Sequence, residues 1–149
     1  MKLLLGTRTY KPGWECYDKY PVDDRIEYID LTELPLPFKS DSVDEIRMEN
    51  SLEHLSVNTL DFMLEMERIL KPGGMIIITV PVNNICAEHE KTHFSRNYFN
   101  GLCGGSYTNF ELVSVRGYGG KHLRNFYFRI KNRLKEFWWQ GYEYKLIKK

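Results

Sequence analysis

Several residues in this 149-residue chain have side chains that can do chemistry, and their positions suggest which kind. His54, His89 and His93 are candidate general bases, because imidazole exchanges protons near neutral pH. His93, in His93-Phe94-Ser95, is the first choice and His89 the second, with Glu49 as a carboxylate behind them. Cys86, His89, His93 and Cys103 are also zinc-compatible types. Their spacing is irregular, with one cysteine at each end, so the residues are read as binding no metal. Asp18 and Asp30 each fall at or near the end of a short alternating run, and Gly6 follows an apolar run directly. A glycine there lets backbone approach a ligand closely. Arg124, Arg129, Lys131, Arg133 and Lys135, among Phe126, Tyr127, Phe128, Trp138 and Trp139, are basic and stacking types that suit single-stranded nucleic acid. Aromatics at helical spacing more often face a core, and the preferred reading makes the basic residues a solvated face.

The elements that must position these residues alternate between strand and helix patterns. Leu3-Leu4-Leu5-Gly6 reads as a buried strand entering a turn. Trp14 to Asp18 and Glu27 to Leu31 read as strands that each carry an acid at their end. Pro35, Pro37 and Ser40-Asp41-Ser42 mark a loop, and Val43 to Met48 the next strand. Residues 59–71 carry apolar side chains at helical spacing, with Asn58 as N-cap and Lys71-Pro72-Gly73-Gly74 as a stop. Met75 to Pro81 is apolar on both faces, which suits the centre of a covered parallel sheet. A second helix is expected over 94–103, strands over 110–115 and 142–147, and helix over 123–139. The pattern predicts one α/β domain over 1–149, with a mostly parallel sheet of about seven strands.

Bulk properties narrow the class. No run of 18 apolar residues exists, so no membrane span is expected. The opening Met1 to Gly6 is too short for the apolar region of a signal peptide. Three cysteines at wide spacing do not form a disulfide framework, and a reducing cytoplasm fits. The net charge of +1 hides an asymmetry. Residues 1–115 hold 11 basic and 18 acidic side chains, net −7, whereas residues 116–149 hold 10 and 2, net +8. The basic tail can pair with the acidic remainder or attract an anionic partner.

Taken in order, the segments match a pattern. A strand ending in Gly6 precedes Pro12-Gly13-Trp14 and a strand ending in Asp18. Asp30-Leu31, Leu34-Pro35-Leu36-Pro37-Phe38 and Ser42-Val43-Asp44-Glu45-Ile46 follow. Leu52-Glu53-His54-Leu55 and Arg68-Ile69-Leu70-Lys71-Pro72-Gly73-Gly74 then lead into an apolar strand. This resembles the class I S-adenosylmethionine-dependent methyltransferases, particularly small type 11-like members associated with sugar or cell-envelope biosynthesis. The resemblance covers residues 3–82, with a weaker echo to 118. It implies a Rossmann-like, mostly parallel sheet with an antiparallel last strand, S-adenosylmethionine as cofactor, and methyl transfer to a small-molecule or glycan-type acceptor. It further implies that Gly6 approaches the cofactor, that Asp18 accepts from the ribose hydroxyls, and that Asp30 with Leu31 meets the adenine. Met48-Glu49-Asn50 would lie under the methionine portion, making Glu49 and Asn50 cofactor-binding. An RNA methyltransferase and a non-catalytic methyltransferase-fold module acting through oligomerisation are the alternatives. A nicotinamide-dependent dehydrogenase is disfavoured, because no Gly-x-Gly-x-x-Gly is present.

The chain departs from that family in its first half. The loop after the first strand has one glycine until Gly13, and Thr7 and Arg8 bring side chains where backbone usually approaches the ligand. Residues 7–13 are too few to hold the helix that a parallel crossover normally carries. The segments 19–26 and 32–42 are also short and polar or proline-rich. One sheet face is therefore expected to lack helices, and the aromatic C-terminal segment or a second subunit, in a homodimer, is expected to cover it.

Overall fold

A computed structural model describes residues 1–81, 92, 94–105, 107–118 and 141–149. Seven strands form one sheet in the order β3-β2-β1-β4-β5-β7-β6. They are β1 (Lys2–Leu5), β2 (Glu15–Asp18), β3 (Ile26–Tyr28), β4 (Val43–Glu49), β5 (Leu70–Pro81), β6 (Phe110–Tyr118) and β7 (Gly141–Lys148). Strands β1 to β5 pair in parallel, and β7 runs antiparallel to both β5 and β6. The expected mostly parallel, Rossmann-like sheet with an antiparallel last strand is what forms. No helix among the described residues is long and apolar enough to cross a membrane.

The one α-helix among the described residues, α1 (Thr59–Ile69), joins β4 to β5. Asn58 caps it, its side chain accepting from the N–H groups of Leu60 and Asp61 at 2.8 and 3.4 Å. The helix ends two residues earlier than the sequence predicts. Leu70 is already extended, since Pro72 forces the chain out of helical geometry. Lys71-Pro72-Gly73-Gly74 then bulges opposite the single residue Asp44 before pairing resumes at Met75. The inner face of α1 presents Phe62, Met63, Met66 and Ile69, all at most 1% exposed, against Leu3, Ile46, Met48, Ile76 and Ile78.

Among the described residues the opposite face carries no crossover helix, as the short connections imply. No helix lies between β1 and β4. The loop after β1 folds back instead: Tyr10 and Trp14 pack on Leu4, Cys16 and Ile26. The Trp14 ring lies beside the ammonium groups of Lys11 and Lys2 and the guanidinium of Arg47, at 4.6, 5.4 and 5.7 Å from its centroid. A two-aromatic loop thus does part of the covering that was expected of the C-terminal segment, whose 123–139 stretch lies outside the described residues.

The helix expected over 94–103 does not form. Only a 3-10 turn, Tyr98–Gly101, is present. Phe94 and Phe99 are buried, so the apolar spacing was meaningful. Gly104 and Gly105, however, take left-handed backbone angles of +81° and +84°, which turn the chain toward β6. Residues 29–31, read as continuing the third strand, instead form its exit loop.

Candidate functional site

Strands β1, β2, β3 and β4 all end on one edge of the sheet, and the connections reverse direction between β1 and β4. That is where an open α/β sheet forms its ligand crevice. A cleft of about 770 Å³ opens there. Gly6 and Arg8 line it from the turn after β1, and Asp18, Lys19 and Tyr20 from the end of β2. Ile29 to Thr32 follow β3, and Asn50 and Ser51 follow β4, with His54 to Ser56 closing the rim.

The turn after β1 is built for close approach. The N–H groups of Gly6 and Thr7 both donate to the Tyr17 carbonyl, at 2.8 and 3.2 Å, which locks the turn to the end of β2. Gly6 has φ of +68°, and a Cβ there would lie 2.6 Å from Ser51 Cβ. Ser51 is itself buried, its hydroxyl donating to the Leu5 carbonyl at 3.4 Å. Asn50 also has a positive φ, 50°, and donates its N–H to Thr79 of β5 at 2.9 Å. The turns after β1 and β4 are thereby pressed together under the cleft.

The two acids differ in their environment. Asp18 is half-buried and accepts the Tyr20 N–H on Oδ1 at 2.7 Å. Asp30 is buried and heavily engaged. Its Oδ1 accepts from the Thr32 N–H and hydroxyl at 3.0 and 2.7 Å, and its Oδ2 lies 2.5 Å from Lys19 Nζ. The Lys19 bond, then the Thr32 bonds, hold the Asp30 carboxyl down at about 2. The same contact raises Lys19. Asp30 is therefore ionised at any physiological pH.

The structure brings six sequence-predicted residues to this cleft: Gly6, Asp18, Asp30, Leu31, Asn50 and His54. Glu49 does not line it. It alternates with buried Met48, and its carboxylate lies 3.6 Å from Arg47 Nη1 on the same strand. His89 and His93 lie outside the described residues, as does Cys86, and no metal-binding group of His, Cys, Asp and Glu occurs among the described ones. His54, on a 3-10 turn (Leu52–His54), is 39% exposed, with Nε2 3.8 Å from the buried carboxylate of Glu53. Arg8, which the sequence places in the loop that approaches the ligand, does line the cleft, whereas sequence reasoning missed Lys19 and Ser51. Lys19 follows the strand-end acid directly, and that adjacency could have flagged it.

Residues 12–78 match the model of the family described as Methyltransferase domain. The fold is that of a class I S-adenosylmethionine-dependent methyltransferase. The YcgJ protein of Bacillus subtilis is similar to this methyltransferase-fold chain, with a TM-score of 0.63 and 12% identity over 99% of this chain and 91% of that one. An S-adenosylmethionine-dependent methyltransferase of Mesorhizobium loti scores 0.61 at 15% identity, covering 91% and 82%. Phosphoethanolamine N-methyltransferase 2 of Haemonchus contortus, solved with S-adenosyl-L-methionine, scores 0.63 at 13% identity, covering 99% of this chain and 48% of that one. No functionally curated protein matches by sequence.

Proposed function

We propose that this chain binds S-adenosylmethionine in the cleft above β1 to β4 and transfers its methyl group to a small-molecule or glycan-type acceptor. The observation that carries this reading is the convergence of Gly6, Asp18, Asp30 and Leu31 on one cleft in a methyltransferase fold. The volume of about 770 Å³ suits a nucleoside-sized ligand. Asp18 keeps acceptor capacity for hydroxyl donors beyond its bond to Tyr20. Ile29, Leu31 and Leu55 offer apolar walls for a purine, and Asp30 an acceptor for its amino group. Arg8 supplies a cation for a carboxylate, standing where the family carries further glycines. When bound, the sulfonium supplies an electrophilic methyl group.

The chain's own residues then have to position the acceptor and take its proton. His54 holds a proton-accepting ring at the rim of the cleft, beside the buried Glu53 carboxylate. His93 and His89, on the stretch that follows β5, are the bases proposed from sequence. Isothermal calorimetry tests the cofactor site. S-adenosylmethionine and S-adenosylhomocysteine bind the wild type, and Asp18→Ala weakens both by about 10- to 100-fold, the worth of charge-assisted hydrogen bonds. An Asp18→Ala affinity equal to wild type overturns the assignment.

A second reading is favoured by one contact. The Lys19 ammonium already occupies Asp30 inside the cleft, beside a turn with a single glycine. A module that has lost its cofactor and works by assembly would look this way, and its signature is a wild type that binds neither compound at millimolar concentration. In either reading the chain is proposed to form a homodimer. Light scattering should report twice the 17.7 kDa chain mass, and a monomer mass at assay concentration removes that proposal.

A further inference from the structure

We propose that Lys19 is a positioning residue for the nucleobase end of the cleft: its ammonium pins the Asp30 carboxylate as an oriented acceptor. This rests on the cofactor reading above and adds a residue to it.

Lys19 leaves the end of β2 immediately after Asp18, and Asp30 leaves the end of β3. A 2.5 Å contact between Lys19 Nζ and Asp30 Oδ2 therefore ties two strand ends together across the cleft floor. No helix joins β2 to β3 to do that work. The other carboxylate oxygen is fixed by two bonds from Thr32. With one oxygen held by each side, Asp30 cannot swing, and the one acceptor site left, on Oδ2, keeps a fixed direction. The Lys19 side chain is itself about half exposed and lines the cleft, so its methylene stem is available to a ligand while its head is held.

The carboxyl of Asp30 is only 7% exposed, so its charge depends on compensation. The titratable and charged groups around the cleft are Lys19, Asp18 and Tyr20 from β2 and its turn, Arg8 from the loop after β1, His54 from the 3-10 turn, and Tyr28 from β3. Lys19 alone among these cations is in contact with Asp30. Removing its charge leaves a buried carboxylate held by Thr32 only. Protonation of Asp30 then begins at higher pH, and a protonated carboxyl turns one acceptor into a donor facing the ligand's own amino donor.

The test compares wild type, Lys19→Met and Lys19→Arg. Lys19→Met keeps the stem and removes the charge, and Lys19→Arg keeps the charge. Carbon-13 NMR of the Asp30 carboxyl in the protein without cofactor reads the first half of the proposal. Its midpoint should rise in Lys19→Met and stay low in Lys19→Arg. Calorimetry with S-adenosylhomocysteine between pH 4.5 and 8 reads the second half. Lys19→Met should bind about tenfold more weakly, by an affinity deficit that grows as pH falls, while Lys19→Arg follows the wild-type profile. Taking the ratio to wild type at each pH cancels the pH effects that the proteins share. An unmoved Asp30 midpoint, or a Lys19→Met affinity equal to or tighter than wild type, overturns the proposal. Wild-type protein that shows the expected Asp30 titration but binds no S-adenosylhomocysteine instead overturns the cofactor reading, and with it the ligand half of this one.

Discussion

Gly6→Ala should lower folding stability by about 2–4 kcal/mol and weaken cofactor binding in the same protein, although it adds one methyl group. Two separate costs combine. The first is conformational: an L-residue with a side chain is strained at the φ of +68° that Gly6 adopts. The second is steric: the new Cβ would sit 2.6 Å from Ser51 Cβ and 2.8 Å from its hydroxyl, well inside contact distance. Ser51 cannot retreat easily, because it is buried and bonded to the Leu5 carbonyl. Denaturant midpoints measure the effect, and a second substitution separates the causes. Ser51→Gly in the Gly6→Ala background removes the clash but not the strained angle, so it should recover part of the loss. A Gly6→Ala protein within about 0.5 kcal/mol of wild type would show that the turns after β1 and β4 do not press together as described.

Glu65→Ala should cost about 2–4 kcal/mol for a different reason. Glu65 faces inward from α1 with its side chain 8% exposed. Its Oε1 accepts the Leu36 N–H at 2.7 Å and Arg68 Nη2 at 2.6 Å, while Oε2 accepts Arg68 Nε at 2.8 Å. Arg68 continues outward to the Leu36 carbonyl and the Ser40 hydroxyl, both at 3.2 Å. One carboxylate thus fastens the loop between β3 and β4 to the helix. Truncating it leaves the Leu36 N–H without a partner in the protein interior and Arg68 without its countercharge. The pH dependence has a definite sign. Bonds from Arg68 and Leu36 hold Glu65 below its ordinary 4.5, against the opposing effect of burial. A carboxyl depressed on folding contributes its stability above the unfolded pKa and loses it as pH falls through the lower folded value. Wild type should therefore lose stability on acidification from about pH 5 downward more steeply than Glu65→Gln. Parallel pH–stability curves for the two proteins would refute the bridge.

Much of the sheet is written in local pattern. The apolar run of β5, the capped amphipathic α1 and the strand-end position of Asp18 follow from periodicity and turn chemistry alone, whereas Asp30 lies two residues past the end of β3. The 94–103 stretch misled because Phe94, Tyr98, Phe99 and Leu102 are spaced as a helix face would be. They do pack inward, but Gly101, Gly104 and Gly105 let the chain reach the same burial by turns. Alternation could have excluded Glu49 from the cleft, since Glu45, Arg47 and Glu49 share the face opposite buried Ile46 and Met48. Ser51 as a cleft residue and the pairing of Lys19 with Asp30 were beyond reach for another reason. They arise only when separate strand ends are laid side by side, and no local rule states which residues will then be neighbours. The pairing of Glu65 with Leu36, 29 positions away, belongs to the same class.

The helix-free crossovers that let Tyr10 and Trp14 fold over the sheet also bear on the order in which the chain can assemble. In the final register Leu3 faces Glu15 and Cys16 faces Ile26, separations of 12 and 10 residues, whereas Leu3 faces Ile46 across 43. Loop-closure entropy grows with the logarithm of length, so the first two pairings cost about 1 kcal/mol less to close than the third. Parallel sheets are slow to fold because their contacts are distant in sequence. By shortening its first two crossovers, this chain has made three of its parallel strands nearly as local as a hairpin. That trio can find its register early, leaving β4 to dock on a template already formed.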